Sequence, residues 1–257
     1  MNQKRIHPAW IAAGITWFTL VASAGYRSAP SVLIVPLEDS FGWSRSQISL
    51  AISINILLYG LTAPFAAALM ERFTVRKVVM SALAAVSLGA FLTIFMSKPW
   101  HLILLWGAVV GIGTGSMALV FAATIASRWF MQRRGLVVGA LTAAAATGQL
   151  IFLPLLSKLA MDHGWKSVSI TIAASAAIVI PLIWWGLNEH PQDIGHKPYG
   201  APADWVAPEK IQGHAAKNAI NALREGSKRK DFWLLFGTFF ICGLSTNGLI
   251  GTHFIPA

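Results

Sequence analysis

Residues 9–37, AWIAAGITWFTLVASAGYRSAPSVLIVPL, form a mainly apolar run that contains one charged side chain, Arg27. A helix needs about 20 mainly apolar residues to cross the ~30 Å hydrocarbon core of a bilayer, and this run is long enough. The run lacks the polar–apolar alternation of a strand with one exposed face. The sequence therefore predicts a first membrane-spanning helix with an arginine inside it.

The rest of the chain has the same character. Of its 257 residues, 55% are hydrophobic and only 12% are charged, whereas soluble domains carry about 25% charged residues. The predicted spans are residues 9–37, 47–70, 77–97, 100–127, 135–161, 166–187 and 232–256. Because these runs are too long for strands and lack a period of two, we expect an all-α integral membrane protein.

Lysine and arginine fall mostly on alternate connecting segments. With the N-terminus in the cytoplasm, 15 of the 20 cations lie on inner segments and 4 on outer ones. The positive-inside rule favours this orientation. The net charge of +10 is then explained by inner loops, without a nucleic-acid partner. We expect a multi-pass protein of the cell (inner) membrane that does not bind nucleic acid.

The break before the last run is rich in Pro, Gly and charge, which predicts a cytoplasmic linker. Within it, Ala216, Ile220 and Leu223 recur at helical spacing. This spacing fits either an amphipathic helix on the inner membrane surface or a plain solvated linker. The predicted organisation is a six-helix bundle (1–187), the linker (188–231) and a seventh helix (232–257).

The loop between the second and third helices, AALMERFTVRKVV (67–79), resembles the signature loop of the major facilitator superfamily. That signature has a Gly, an acid–Arg pair, a second Gly and basic residues; here Ala67 and Thr74 replace the glycines. The matching charged residues are Glu71, Arg72, Arg76 and Lys77. The resemblance implies a gating loop whose charge-assisted hydrogen bonds break as the protein rocks. The alternative is a solvated loop that only sets topology.

Other segments resemble one branch of this superfamily, the bacterial monocarboxylate and oxalate–formate antiporter-like carriers. They are GYRSAPSVLIVPLEDSFGWSRSQISLAIS, RWFMQRRGLVVGA, HGWK, NEHPQDIGHKPYG and FWLLFGTFFICGLSTNGLIGTHFIP. The resemblance implies a six-helix N-terminal bundle of 3+3 inverted repeats, followed by the first helix of a second bundle. Because the chain ends at Ala257 within an apolar run, we expect it to be truncated.

Arg27 lies ten residues before Leu37, or about 15 Å along a helix, which places it near the middle of the bilayer. An arginine there costs about 2.5–3.5 kcal/mol and usually faces a cavity or a partner. All acids of the chain lie at predicted helix ends or in loops. We therefore expect Arg27 to face a water-filled cavity and to bind a carboxylate bidentately. The alternative is that it bonds backbone carbonyls freed near Pro30.

Further polar residues are candidates for the substrate path. Asn55 and Tyr59 are four residues apart on the second helix and share a face, and Gln149 lies near the middle of the fifth helix. Each is a candidate substrate-binding residue or an interhelical hydrogen-bonding residue. His253, near the outer end of the seventh helix, is a candidate for a proton-linked role.

The sequence thus predicts a secondary active transporter of a small organic anion, a mono- or dicarboxylate, which works by alternating access as a symporter or an antiporter. One alternative is a facilitator-type carrier of a neutral or cationic solute or drug; another is a non-transporting truncated fragment or half-partner. We expect no enzymatic activity, no cofactor and no metal, since no catalytic or ligand cluster is apparent. The expected partners are the anion, the lipid bilayer, and a missing C-terminal half or a second half-chain.

Overall fold

The computed structural model describes residues 7–117, 119–206 and 215–246, with only the backbone of 215–219. In these ranges the chain is helical, with short 3₁₀ turns and a π-helical segment, Ile103–Val110, and contains no β-strand longer than an isolated bridge. The α-helices are α1 (Pro8–Ser23), α2 (Gly25–Phe41), α3 (Arg45–Arg72), α4 (Val75–Leu92), α5 (Pro99–Leu102), α6 (Gly111–Gly115), α7 (Leu119–Trp129), α8 (Arg134–His163), α9 (Trp165–Gly186), α10 (Ala215–Ser227) and α11 (Lys230–Gly243).

Six stretches of the described chain are long and apolar enough to cross a membrane. They are span 1 (Pro8–Phe41), span 2 (Arg45–Arg72), span 3 (Val75–Phe95), span 4 (Pro99–Trp129), span 5 (Arg134–His163) and span 6 (Trp165–Gly186). This confirms the all-α membrane fold with six helices in the bundle. The predicted seventh span, 232–256, is described only in part, and α11 covers that part; the remainder, with His253, lies outside the described residues.

Span 1 is interrupted at one residue, Ala24, where the sequence predicted an unbroken helix. The backbone N–H of Ala24 is shared between the carbonyls of Leu20 and Val21, both at 3.1 Å, and the N–H of Arg27 donates to the Ala24 carbonyl at 3.1 Å. Pro30 follows one turn later and has no N–H for the regular helical bond. The interruption places Arg27 in the first turn of α2.

The spans pair in a pattern that has internal symmetry. Span 1 packs mainly on span 5, span 2 on span 4, and span 3 on span 6. If span 1 is exchanged with span 4, span 2 with span 5 and span 3 with span 6, the pair of spans 1 and 5 becomes the pair of spans 4 and 2. The pair of spans 3 and 6 is unchanged. This is the pairing that two inverted three-helix repeats produce.

A row of glycines lets spans 2 and 4 touch at their backbones. A methyl group added at Gly111 would lie 3.0 Å from the carbonyl oxygen of Asn55, and one at Gly115 would lie 2.5 Å from that of Tyr59. Gly107 continues the row one turn earlier. Small residues at four-residue spacing permit this approach in membrane helices. The row therefore fixes the depth and rotation of the helix that carries Asn55 and Tyr59.

Candidate functional site

Arg27 and Tyr59 meet across spans 1 and 2, at the level where the first helix is interrupted. The guanidinium carbon of Arg27 lies 5.2 Å from the centroid of the Tyr59 ring, a distance at which a cation and an aromatic face attract. Both side chains are half-buried. A guanidinium is planar and carries its N–H donors in a fixed fork, in the geometry that suits a carboxylate.

Asn55 lies one turn from Tyr59 on span 2, but its side chain turns toward span 4. Its amide group donates to the carbonyl of Trp106 at 2.6 Å. Trp106 belongs to the π-helical segment, where the regular i→i+4 backbone pattern changes. Asn55 therefore makes an interhelical hydrogen bond, and its substrate-binding role stays a prediction.

Gln149 adjoins the same region from span 5. Its backbone carbonyl lies 3.4 Å from the Ser28 hydroxyl, next to Arg27 in the chain. Gly148 permits this approach, since an added methyl group there would lie 2.6 Å from the carbonyl oxygen of Val21. Spans 1, 2 and 5 therefore converge around Arg27.

A groove of about 430 Å³ runs between the C-terminal parts of spans 1 and 5. It begins at Ser31, which follows Arg27 by four residues, or about 6 Å along a helix. Its polar lining includes Ser31, Asp39, Ser40 and Ser157. The groove thus starts one helical turn along the chain from Arg27 and extends to the end of the bundle opposite the N-terminus.

The four charged residues of the 67–79 loop have different surroundings. Glu71, Arg72 and Lys77 are exposed, and Arg72 stacks on Phe73 with 5.3 Å between guanidinium and ring centroid. Arg76 is held more firmly: its guanidinium donates to the Trp184 carbonyl at 3.2 Å and lies 5.4 Å from the Trp184 ring.

Thr74, which stands in place of an expected glycine, caps the helix of span 3. Its side-chain oxygen accepts a hydrogen bond from the backbone N–H of Lys77 at 3.2 Å. Threonine is a favoured N-cap because its oxygen satisfies a donor that the helix leaves unpaired. The substitution therefore gives this helix a defined start.

Sequence reasoning did not identify Glu189, which joins several helix ends on this face of the bundle. The backbone N–H of Val75 donates to both Glu189 carboxylate oxygens at 2.9 Å, and Arg128 forms an ion pair with the same carboxylate. A carboxylate at a helix N-terminus also interacts favourably with the helix dipole. Glu189 thus links the end of span 6 to the start of span 3 and the end of span 4.

The segment after Glu189, part of the predicted linker, is docked onto the bundle. We call residues 189–200 the strap. Tyr199 forms backbone hydrogen bonds with Trp129 and Met131 at 2.8 and 3.0 Å, and its ring centroid lies 5.7 Å from that of Trp10. Burial of apolar surface drives this docking, and periodicity alone gives no indication of it.

His7 contacts the strap from the start of span 1. Its Nδ1 accepts a hydrogen bond from the Ala9 N–H at 3.2 Å, and its ring centroid lies 5.9 Å from that of His196 and 5.4 Å from that of Tyr199. Burial and the nearby His196 lower the pKa of His7, and a hydrogen bond to the Lys197 backbone opposes them in part. Neutral His7 is therefore the form that fits this contact.

The family model described as Major Facilitator Superfamily matches residues 16–256. The chain is 28% identical over 250 residues to the uncharacterized MFS-type transporter YcxA of Bacillus subtilis, a match that covers 96% of this chain and 57% of YcxA. It is 32% identical over 161 residues to human monocarboxylate transporter 7, covering 61% of this chain and 30% of that protein.

Human monocarboxylate transporter 14 is 25% identical over 217 residues, which cover 81% of this chain and 42% of that protein. The chain therefore spans 30% to 57% of the length of these three relatives. The matches agree with the resemblance seen in the 67–79 loop and in the segments along the chain.

Proposed function

Because this chain belongs to the Major Facilitator Superfamily, we propose that it forms part of a secondary active transporter for a small organic anion, a mono- or dicarboxylate. Transport would proceed by alternating access, in which a six-helix bundle rocks against a second bundle around a central site. The transporter would lie in the cell inner membrane with its N-terminus in the cytoplasm.

The contact between Arg27 and Tyr59 carries the substrate proposal. A guanidinium at mid-depth in a membrane protein is expensive to bury and is retained mainly for function. Stacking on Tyr59 would orient its in-plane donors for bidentate binding of a carboxylate. The names of the human relatives, monocarboxylate transporters, point to the same class of substrate.

Three other residues would support Arg27 in this proposal. Tyr59 would orient Arg27, and Asn55 and Gln149 would line the path at its edges. The groove that begins at Ser31 would lead from the outer end toward the guanidinium. Its volume of about 430 Å³ is ample for a small carboxylate, since ligand pockets of about 300 Å³ hold larger molecules.

The 67–79 loop would act as part of the inner gate. Glu71 and Arg72 are exposed on the face where Glu189 gathers the ends of spans 3, 4 and 6. In this proposal they would contact a second bundle in one state and release it in the other, as would the exposed Lys77, while Arg76 is held by its contacts with Trp184. Proton coupling through His253, or anion exchange, would complete the cycle.

A second bundle would pack on spans 2 and 5. In the apolar 18-residue stretch of each span, only 17% is buried in span 2 and 28% in span 5. The buried share is 39% to 56% in the other four spans. These two spans are also equivalent under the internal symmetry. The second bundle would be either a C-terminal half or a second copy of this half-chain.

The intact mass of the protein purified from its native membrane tests the nature of this second bundle. A mass near that of the 257-residue chain would favour a pair of half-chains. A mass about twice as large would favour a C-terminal half.

Uptake into proteoliposomes tests the substrate class. The protein from its native membrane should accumulate radiolabelled lactate or a small dicarboxylate, and the uncharged amide of the same acid should neither enter nor compete. Equal uptake of acid and amide would favour a carrier of neutral solutes. Absence of uptake for every solute would favour a non-transporting half-partner.

A further inference from the structure

Helix α10 lies between span 6 and the apolar helix α11 in the chain. The chain leaves span 6 at Gly186, on the face where Glu189 binds the start of span 3. Only two residues separate the end of α10 from Lys230, where α11 and its apolar run begin. Helix α10 also contacts α3 of span 2. The C-terminal end of α10 therefore lies close to the level at which α11 and its apolar run begin.

Helix α10 has one apolar edge that its contacts leave largely open. Ile220 and Leu223 lie on this edge and are 54% and 40% exposed. At 100° per residue, Arg224 falls beside Ile220, whereas Asn221 and Glu225 fall on the opposite side. An apolar edge flanked by cations, with a polar opposite face, is the pattern of helices that lie in a membrane interface.

The turn that follows α10 concentrates positive charge at the same level. Residues 228–230 are Lys-Arg-Lys, and all three are exposed. The Lys228–Glu225 ion pair has side chains 61% and 70% exposed, so water screens it strongly. Trp233 follows in the first turn of α11, and its indole N–H donates to the Ser227 carbonyl at 2.8 Å. Tryptophan is enriched at the headgroup level of bilayers.

We propose that α10 and residues 228–230 form a docking surface for anionic phospholipid headgroups of the bilayer that holds the transporter. The apolar edge would enter the headgroup–acyl boundary, while Arg224 and residues 228–230 would meet the phosphates. Basic clusters beside a membrane helix bind anionic lipid through their combined charge. This inference concerns the linker and does not depend on which solute is transported.

The single cysteine of the chain, Cys242, makes a site-specific test possible. In a Cys242→Ser background, Leu223→Cys on the apolar edge and Asn221→Cys on the opposite face would each carry an environment-sensitive nitrobenzoxadiazole label. The full chain would be placed in nanodiscs of phosphatidylcholine alone or of equal phosphatidylcholine and phosphatidylglycerol. Emission maximum and quenching by iodide would be measured in both lipids.

The label at Leu223→Cys should shift to shorter wavelength, and its iodide quenching constant should fall about threefold in the anionic nanodiscs, because several cations then hold the helix at the surface. The label at Asn221→Cys should change little. Replacing residues 228–230 by glutamine should remove the response. The control Lys98→Gln/Lys158→Gln, which neutralises exposed cations on the opposite side of the bundle, should retain it.

Equal quenching of the Leu223→Cys label in the two lipids would overturn the proposal. So would a response of equal size at Asn221→Cys, because the helix would then not be oriented. A response that persists after residues 228–230 are neutralised would show that anionic lipid is not what those cations bind, and would overturn it as well.

Discussion

The guanidinium carbon of Arg27 lies 5.2 Å from the centroid of the Tyr59 ring, so a cation of span 1 rests on an aromatic face of span 2. The position of that face depends on span 4, because Gly115 packs directly on the Tyr59 backbone. The contact at the candidate site thus rests on backbone packing between two neighbouring spans. Substitutions at Tyr59 should therefore affect substrate binding, and substitutions at Gly115 should affect stability.

Tyr59→Leu should weaken carboxylate binding, because it removes the ring that orients Arg27. A cation–π contact is worth about 0.5–2 kcal/mol, so we expect the KM for uptake to rise about 3- to 30-fold. Tyr59→Phe retains the ring and should stay within about twofold of the wild type. Similar losses in both variants would show that the hydroxyl group, and not the ring, matters.

Gly115→Ala should lower thermal stability, because the added methyl group would lie 2.5 Å from a backbone oxygen that cannot move freely. Overpacking of this kind costs about 1–3 kcal/mol. The matched control is Gly139→Ala in span 5, where an added methyl group meets nothing within 4 Å. The unfolding temperature in detergent should fall for the first variant and hold or rise for the second. The reverse order would contradict the packing described here.

Glu189 and Arg128 should be energetically coupled. Their side chains are 20% and 17% exposed, and a partly buried carboxylate left without its cation is costly. In a double-mutant cycle with Glu189→Gln and Arg128→Gln, we expect a coupling energy of about 1–3 kcal/mol in unfolding measurements.

The comparison pair for that cycle is Arg45 and Glu38, in which Arg45 is 50% exposed. Water screens an exposed pair strongly, so the same cycle on this pair should give a smaller coupling. Equal coupling energies in the two cycles would mean that Glu189 does not join the helix ends as inferred.

Docking of the strap should weaken in acid. The pKa of His7 is lowered by burial and by His196, so the docked state binds fewer protons than the undocked one, and docking is lost as the pH falls through about 6.5 and below. His196 of the strap, 5.9 Å from the His7 ring, adds to the lowering of the pKa, whereas the hydrogen bond to the Lys197 backbone opposes it in part. Hydrogen exchange of residues 195–200 should accelerate over this range.

His7→Asn is the control for this titration. Asparagine can still accept from the Ala9 N–H as a helix cap, but it does not titrate. The acceleration in acid should therefore largely disappear in this variant. An unchanged acid response would assign the effect to groups other than His7.

The sequence predicted most of the fold, because span length and hydropathy are local properties. It also singled out Arg27 and Tyr59, which the structure brings together; the depth of Arg27 in the bilayer stays a prediction. It could not predict that Asn55 would bond to Trp106 or that Glu189 would cap span 3, since each depends on a partner distant in the chain.

The interruption at Ala24 and the docked strap were not anticipated either. Pro30 indicates a disturbed helix but not the residue at which it breaks. The strap is rich in Pro and Gly, which predicts a turn-rich linker. Its docking shows only in the structure, in the packing of half-buried Tyr199 against Trp10 and Phe130 and in its backbone hydrogen bonds. Turn composition reports local conformation and carries no information on docking.

The central claim is that Arg27 binds the carboxylate of the transported anion, and uptake by Arg27→Gln tests it most directly. The full transporter carrying this change would be reconstituted beside wild-type protein and Arg27→Lys, with folding checked by thermal unfolding. We expect Arg27→Gln to lose at least about 100-fold in carboxylate uptake, because a charge-assisted bidentate contact is removed. Arg27→Lys should retain part of the activity, and the unfolding temperature should change little. Carboxylate uptake that persists in a folded Arg27→Gln protein would contradict the account.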